Sequence, residues 1–127
     1  MRAQYHFRKS AKGLCAWDVG RLVRLSSALA LERVPLSEFR ELDEPYWTSG
    51  PGQRVTCREM VDHARLMLDS DLAFPVILSS DGRVMDGMHR ICKALLEGRE
   101  EIEAVRFVED PKPDFVGVQP DDLPYED

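Results

Sequence analysis

The sequence predicts an α+β domain, a small mixed sheet with flanking helices, on three observations. Four short apolar runs of strand character, at residues 32–36, 75–79, 83–86 and 102–108, alternate with segments whose apolar residues recur at helical spacing. Ser80-Asp81-Gly82 joins two of those runs as a tight hairpin, because Asp-Gly supplies the positive backbone angles such a turn needs. The second of the two then runs through Gly87 directly into a helix.

The elements follow in order. Asp18 is a good cap for a first helix over residues 18–29, where Val19, Leu22, Val23 and Ser26 keep helical spacing. Pro35 places the strand at 32–36 at the edge or end of a sheet. Residues 40–54 are polar and irregular, with Pro45, Gly50, Pro51 and Gly52 around Tyr46 and Trp47. Those aromatics either stack on a ligand's base or cover an edge of the core. Thr56-Cys57-Arg58-Glu59 is a capping box that opens a second helix. Met60, Val61, Ala64, Met67 and Leu68 form its apolar face, and Asp69-Ser70-Asp71 ends it. In the third helix Met88, Ile91, Cys92, Leu95 and Leu96 fall at i, i+3, i+4, i+7 and i+8, and Gly98 stops it. The tail carries Pro111, Pro113, Pro120 and Pro124 and reads as irregular, draped over the body or serving as a partner arm.

A chain of 127 residues is one ordinary domain, here with a basic N-terminal helical segment over 1–30, a core over about 31–108 and an acidic tail over 109–127. With 17 basic and 23 acidic side chains the net charge is −6. It is uneven: residues 1–24 sum to +5 and residues 109–127 to −6. A globally acidic chain is a poor binder of duplex DNA, whose affinity comes from clustered Lys and Arg. No stretch approaches the roughly 20 apolar residues of a membrane span. Arg2, Arg8 and Lys9 are followed by no apolar run, so a signal peptide is not expected. Cys15, Cys57 and Cys92 are odd in number and widely spaced, which fits a reducing cytoplasm. Cys57, at a helix start beside Arg58, is either reactive or a small, partly buried thiol. Cys92 lies on the apolar stripe and belongs to the core.

The chemistry concentrates where the strand meets the third helix. The first amides of a helix lack partners and carry partial positive charge, and Gly87 lets a ligand approach the backbone. His89 and Arg90 stand in the first turn, off the apolar stripe. The group reads either as an anion site suited to phosphate or as an ordinary solvated helix start.

The run Phe74-Pro75-Val76-Ile77-Leu78, then Asp81-Gly82-Arg83-Val84-Met85-Asp86-Gly87-Met88-His89-Arg90, with Ala94 and Gly98 beyond, resembles the N-terminal domain of ParB proteins. The order of elements is similar to the ParB/sulfiredoxin-like superfamily over residues 31–108. The resemblance implies that Gly87, Met88 (through its main chain), His89 and Arg90 bind nucleotide phosphates. ATP or CTP, with Mg²⁺, is the implied ligand. Arg58, or Arg8, Lys9 or Lys12 of the basic head, would complete the clamp. Kinase-like relatives imply a carboxylate after the first strand, for which Glu38, Glu41, Asp43 and Glu44 are candidates. Of these Glu41, Asp43 and Glu44 are the candidate catalytic residues of a small-molecule kinase or nucleotide hydrolase, with a solvated acidic loop as the alternative. Asp86 would hold a metal, orient His89 or cap the helix. Met88 stands where sulfiredoxins carry their reactive cysteine, so that repair chemistry is not expected. A third reading is a ParB-related partition or regulatory adaptor acting on protein partners through the tail.

Overall fold

The structure is a computed structural model that describes residues 4–48 and 54–125. Its strands are β1 (Tyr5–Ser10), β2 (Gly13–Asp18), β3 (Glu32–Pro35), β4 (Val76–Leu78), β5 (Val84–Asp86), β6 (Glu101–Arg106) and β7 (Phe115–Val116). Its α-helices are α1 (Val19–Ser26), α2 (Cys57–Asp69) and α3 (Met88–Leu96), with short 3-10 turns at Leu36–Glu38, Arg40–Asp43 and Pro120–Asp122. The α+β expectation and the mixed sheet hold. That sheet runs β3-β6-β4-β5, with β4 and β6 parallel and the other two pairs antiparallel.

Strand alternation gives this sheet two apolar faces. Val76, Leu78, Ile102 and Ala104 face one way and meet Met88, Ile91 and Ala94 of α3 together with Phe39. Ile77, Met85, Val105 and Phe107 face the other way and meet Cys15, Trp17 and Leu22. A strand buried on both faces reads as a continuous apolar run, as Val76-Ile77-Leu78 does.

The N-terminal segment differs from the helical reading of residues 1–30. Helix is confined there to Val19–Ser26, and β1 and β2 form an antiparallel hairpin. With β7 they make a second sheet, β1-β2-β7, that covers the far face of the mixed sheet. The core therefore does not close within 31–108. The inward side of β1 carries His6 and Arg8, opposite Trp17 and Cys15, so the alternation is masked by ionisable residues. Asp18 caps α1 as expected, accepting from the Arg21 amide at 3.3 Å. The helix stops short of residue 29: the Ser26 and Ser27 hydroxyls take the carbonyls of Val23 and Arg24, which competes with continuing the helix.

The tail is bound to this second sheet. Trp17 Nε1 donates to the Pro111 carbonyl at 2.8 Å, and Asp114 accepts from the Asp18 amide at 2.8 Å and from Arg21 at 3.2 Å. Leu123 is buried.

The second helix also differs from expectation. None of its residues is buried, and Met60, Val61 and Leu68 of its apolar face are more than half exposed. Only the His63 and Met67 side is half-buried, toward α3, where Lys93 Nζ donates to the Leu68 and Ser70 carbonyls at 3.1 and 2.6 Å.

Candidate functional site

Gly87 is the N-cap of α3, with φ of +112° and no side chain capping the helix. The positive angle admits glycine at little cost and lets the chain turn from β5 straight into the helix. The Arg90 guanidinium folds back over this glycine. A Cβ placed on Gly87 would stand 2.7 Å from Arg90 Nη2 and 3.1 Å from Val76 Cγ2. Arg90 Nη2 donates to Asp86 Oδ2 at 2.8 Å, its one hydrogen bond among the described residues. An arginine has five N–H donors in a fixed fork, so most of this one's donors stay available beside the open helix start.

Gly87, Met88, His89 and Arg90 border a cleft of about 760 Å³, the scale of a small-molecule site. Leu66, Ser70, Asp71 and Phe74 form the wall from the end of α2. Gln4 and Tyr5 come from the N-terminal hairpin, Val19 from α1 and Tyr125 from the tail. Sequence reasoning missed Tyr5, Phe74 and Tyr125. Tyr5 meets Tyr125 edge to face at 5.4 Å, and Phe74 is 62% exposed. No local pattern joins these three, because the fold gathers them from separate segments.

His89 borders the cleft and is half-buried. Its pKa lies below the usual histidine value, because burial and then the neighbouring His63 disfavour the charge, against an opposing pull from Asp86. His89 Nε2 is 2.9 Å from His63 Nδ1, and Trp47 lies over both rings at 4.2 Å from His63 and 4.8 Å from His89. Trp47 is thus engaged with the imidazoles. Tyr46 packs against the core, where burial raises its hydroxyl pKa, with Glu41 and Asp86 adding to the effect.

The candidate carboxylates lie elsewhere. Glu41 is 3% exposed, accepts from the Val84 amide at 2.7 Å and stands 3.5 Å from Arg83. Glu44 takes the same guanidinium in two bonds of 3.1 and 2.6 Å, which hold its carboxyl below the usual range. Asp43 is exposed. None of the three lines the cleft; Glu38 and Glu41 border a separate recess of about 120 Å³ with Asp81 and Arg106. Arg58 is exposed in the first turn of α2, outside the cleft lining. Arg8 is also engaged away from the cleft, donating to His6 Nε2 at 2.9 Å and to Ser79 Oγ at 3.0 Å. Lys9 and Lys12 are exposed and do not line the cleft.

Asp86, the candidate metal ligand, is paired with Arg90, and no cluster of three or more His, Cys, Asp or Glu side chains able to hold a metal occurs among the described residues. All three cysteines are free thiols; Cys57 is exposed, and burial raises the Cys92 pKa. No helix among the described residues is long and apolar enough to cross a membrane. Compared with protein-family models, with curated proteins and with solved structures, the chain matches none.

Proposed function

We propose that this chain is a ParB/sulfiredoxin-like cytoplasmic domain that binds a phosphate-bearing ligand, a nucleotide above all, at the start of α3. The observation that carries the reading is the uncapped helix start at Gly87, opening on a cleft with Arg90 folded beside it. A phosphate seated there accepts from the amides of Met88, His89 and Arg90 and is favoured by the positive end of the helix. The Arg90 fork adds charge-assisted bonds, turning from or sharing with Asp86. His89 contributes a ring nitrogen at the cleft border. Phe74, Tyr5 and Tyr125 provide aromatic surface for a base or another flat group on the same ligand.

The reading stops at binding. Glu41 and Glu44 are engaged with Arg83 outside the cleft lining, so these two carboxylates do not support phosphotransfer at this site. The acidic tail is engaged with the second sheet, which supports a structural role there before a role in partner capture. The test is calorimetric titration with ATP, CTP and inorganic phosphate. Binding is expected to weaken about ten- to a hundredfold in Arg90→Ala, the cost of losing a charge-assisted hydrogen bond. No heat with any of the three, or unchanged binding in the variant, refutes the reading.

A further inference from the structure

The exposed face of α2 calls for an occupant. This helix of 13 residues has no buried residue, yet its apolar residues keep strict helical spacing. Met60 is 61%, Val61 54% and Leu68 62% exposed. Cys57 and Ala64 share the stripe at helical spacing and are also exposed. Scattered apolar side chains on a surface need no explanation, but a continuous stripe along a helix marks a contact surface.

The charges beside the stripe identify the occupant. Arg58, Asp62, Arg65 and Asp69 fall at i, i+4, i+7 and i+11, in one row along the flank next to Val61. None of them forms an ion pair or side-chain hydrogen bond with another described residue. The signs alternate along the row. When two copies of a helix pack antiparallel, the same flank of each meets the other in reversed order. About a twofold axis between His63 and Ala64, Arg58 meets the partner's Asp69 and Asp62 meets the partner's Arg65. Each pair occurs twice, so the row is complementary to itself. The same axis places the small side chain of Ala64 at the point of closest approach. A parallel pairing would instead set this charged row against the Met60 and Met67 edge.

We infer that α2 is a homodimer surface, on which a second copy of this chain pairs antiparallel through the stripe from Cys57 to Leu68. Leu95 and Leu96, 54% and 69% exposed on the adjacent α3, are available to widen the contact. The proposal is independent of the ligand site, and it gives Arg58 a place other than the phosphate clamp.

The test is sedimentation equilibrium over roughly 1 µM to 1 mM, the range suited to a small interface. The wild-type mass is expected to rise from 14.5 kDa toward twice that value. Arg58→Glu with Arg65→Glu makes the row wholly acidic, and Asp62→Arg with Asp69→Arg makes it wholly basic. Each double variant is expected to stay monomeric alone, and an equimolar mixture is expected to restore the dimer, which also shows that both fold. Under mild oxidation Ala64→Cys is expected to cross-link between copies. Cys57 is not, because antiparallel packing sets its two copies roughly 20 Å apart along the axis. A monomer at every concentration leaves the stripe to a foreign partner and overturns the proposal. Charge variants that dimerise alone as well as the wild type does, a mixture that stays monomeric, or cross-linking through Cys57 in the wild type each overturn it too.

Discussion

Replacing Gly87 by alanine probes the turn on which the candidate site is built. Two costs arise there. At φ of +112° a side-chain-bearing residue is strained by about 1–2 kcal/mol. The new Cβ would also sit 2.7 Å from Arg90 Nη2 and 3.1 Å from Val76 Cγ2. The arginine end can swing away, at the loss of its bond to Asp86. Val76 is fully buried on β4, so relief there must come from a shift of packed atoms, which costs about 1 kcal/mol or more. The total is about 2–4 kcal/mol. Gly98→Ala is the matched control. It has φ of +77° and open space where the Cβ would go, so it carries only the strain of about 1–2 kcal/mol. Urea denaturation with linear extrapolation measures both. Gly87→Ala is expected to cost at least about 1 kcal/mol more than Gly98→Ala, through the crowding described above. Equal costs would refute the close packing of Arg90 and Val76 against the turn.

Three further outcomes follow from the same geometry. Burial, with Arg8 adding to it, pushes the His6 pKa down to about 4 from 6.5, so the unfolded chain binds the extra proton between those values. The stability due to neutral His6 is complete above pH 6.5 and is lost as pH falls toward 4, on the order of 3 kcal/mol; denaturation at stepped pH should show that loss and His6→Gln should lack it. Glu41→Ala strands the buried Val84 amide and leaves Arg83 with Glu44 alone, so it is expected to cost about 2–3 kcal/mol in urea denaturation. Removing residues 109–127 takes away the partners of Trp17, Asp18 and Arg21 and the buried Leu123. The truncated chain is expected to lose cooperative unfolding or to melt well below the full chain by circular dichroism, whereas an unchanged melt would return the tail to the role of a free arm.

What the sequence made legible was local. The Asp81-Gly82 turn, Gly87 and the Asp18 and Thr56 caps are each fixed by backbone chemistry within a few residues, and all stand where they were read. Periodicity identified helices without saying what each face meets. The α2 stripe reads as one apolar face, of which only Met67 is half-buried while Met60, Val61, Ala64 and Leu68 are exposed. Leu95 and Leu96 were counted into the α3 stripe, although the inward line runs through Met88, Ile91 and Ala94. Alanine carries too little hydrophobic signal to compete in such a count.

Long-range features were the least legible. The β1–β2 hairpin faces the core with His6 and Arg8 beside Cys15 and Trp17, so its alternation looks polar. His6 is tolerated there as the neutral form that accepts from Arg8, which in turn reaches Ser79. Of the candidate site, Gly87 to Arg90 were contiguous and readable. The aromatic walls from Tyr5, Phe74 and Tyr125 were not, because only the packing of the two sheets and the tail brings them to one cleft. The carboxylates of Glu41 and Glu44 looked like chemistry until Arg83, some forty positions away, accounted for both.

The claim that the start of α3 receives phosphate is tested most directly by amide chemical shifts. Titration of the labelled protein with ATP or CTP should move the amides of residues 87–90 saturably, with smaller shifts along Tyr5, Phe74 and Tyr125, and Arg90→Ala should move saturation to about ten- to a hundredfold higher concentration. Amides at 87–90 that stay unmoved at every nucleotide concentration, or shifts centred on Arg83 instead, would contradict it.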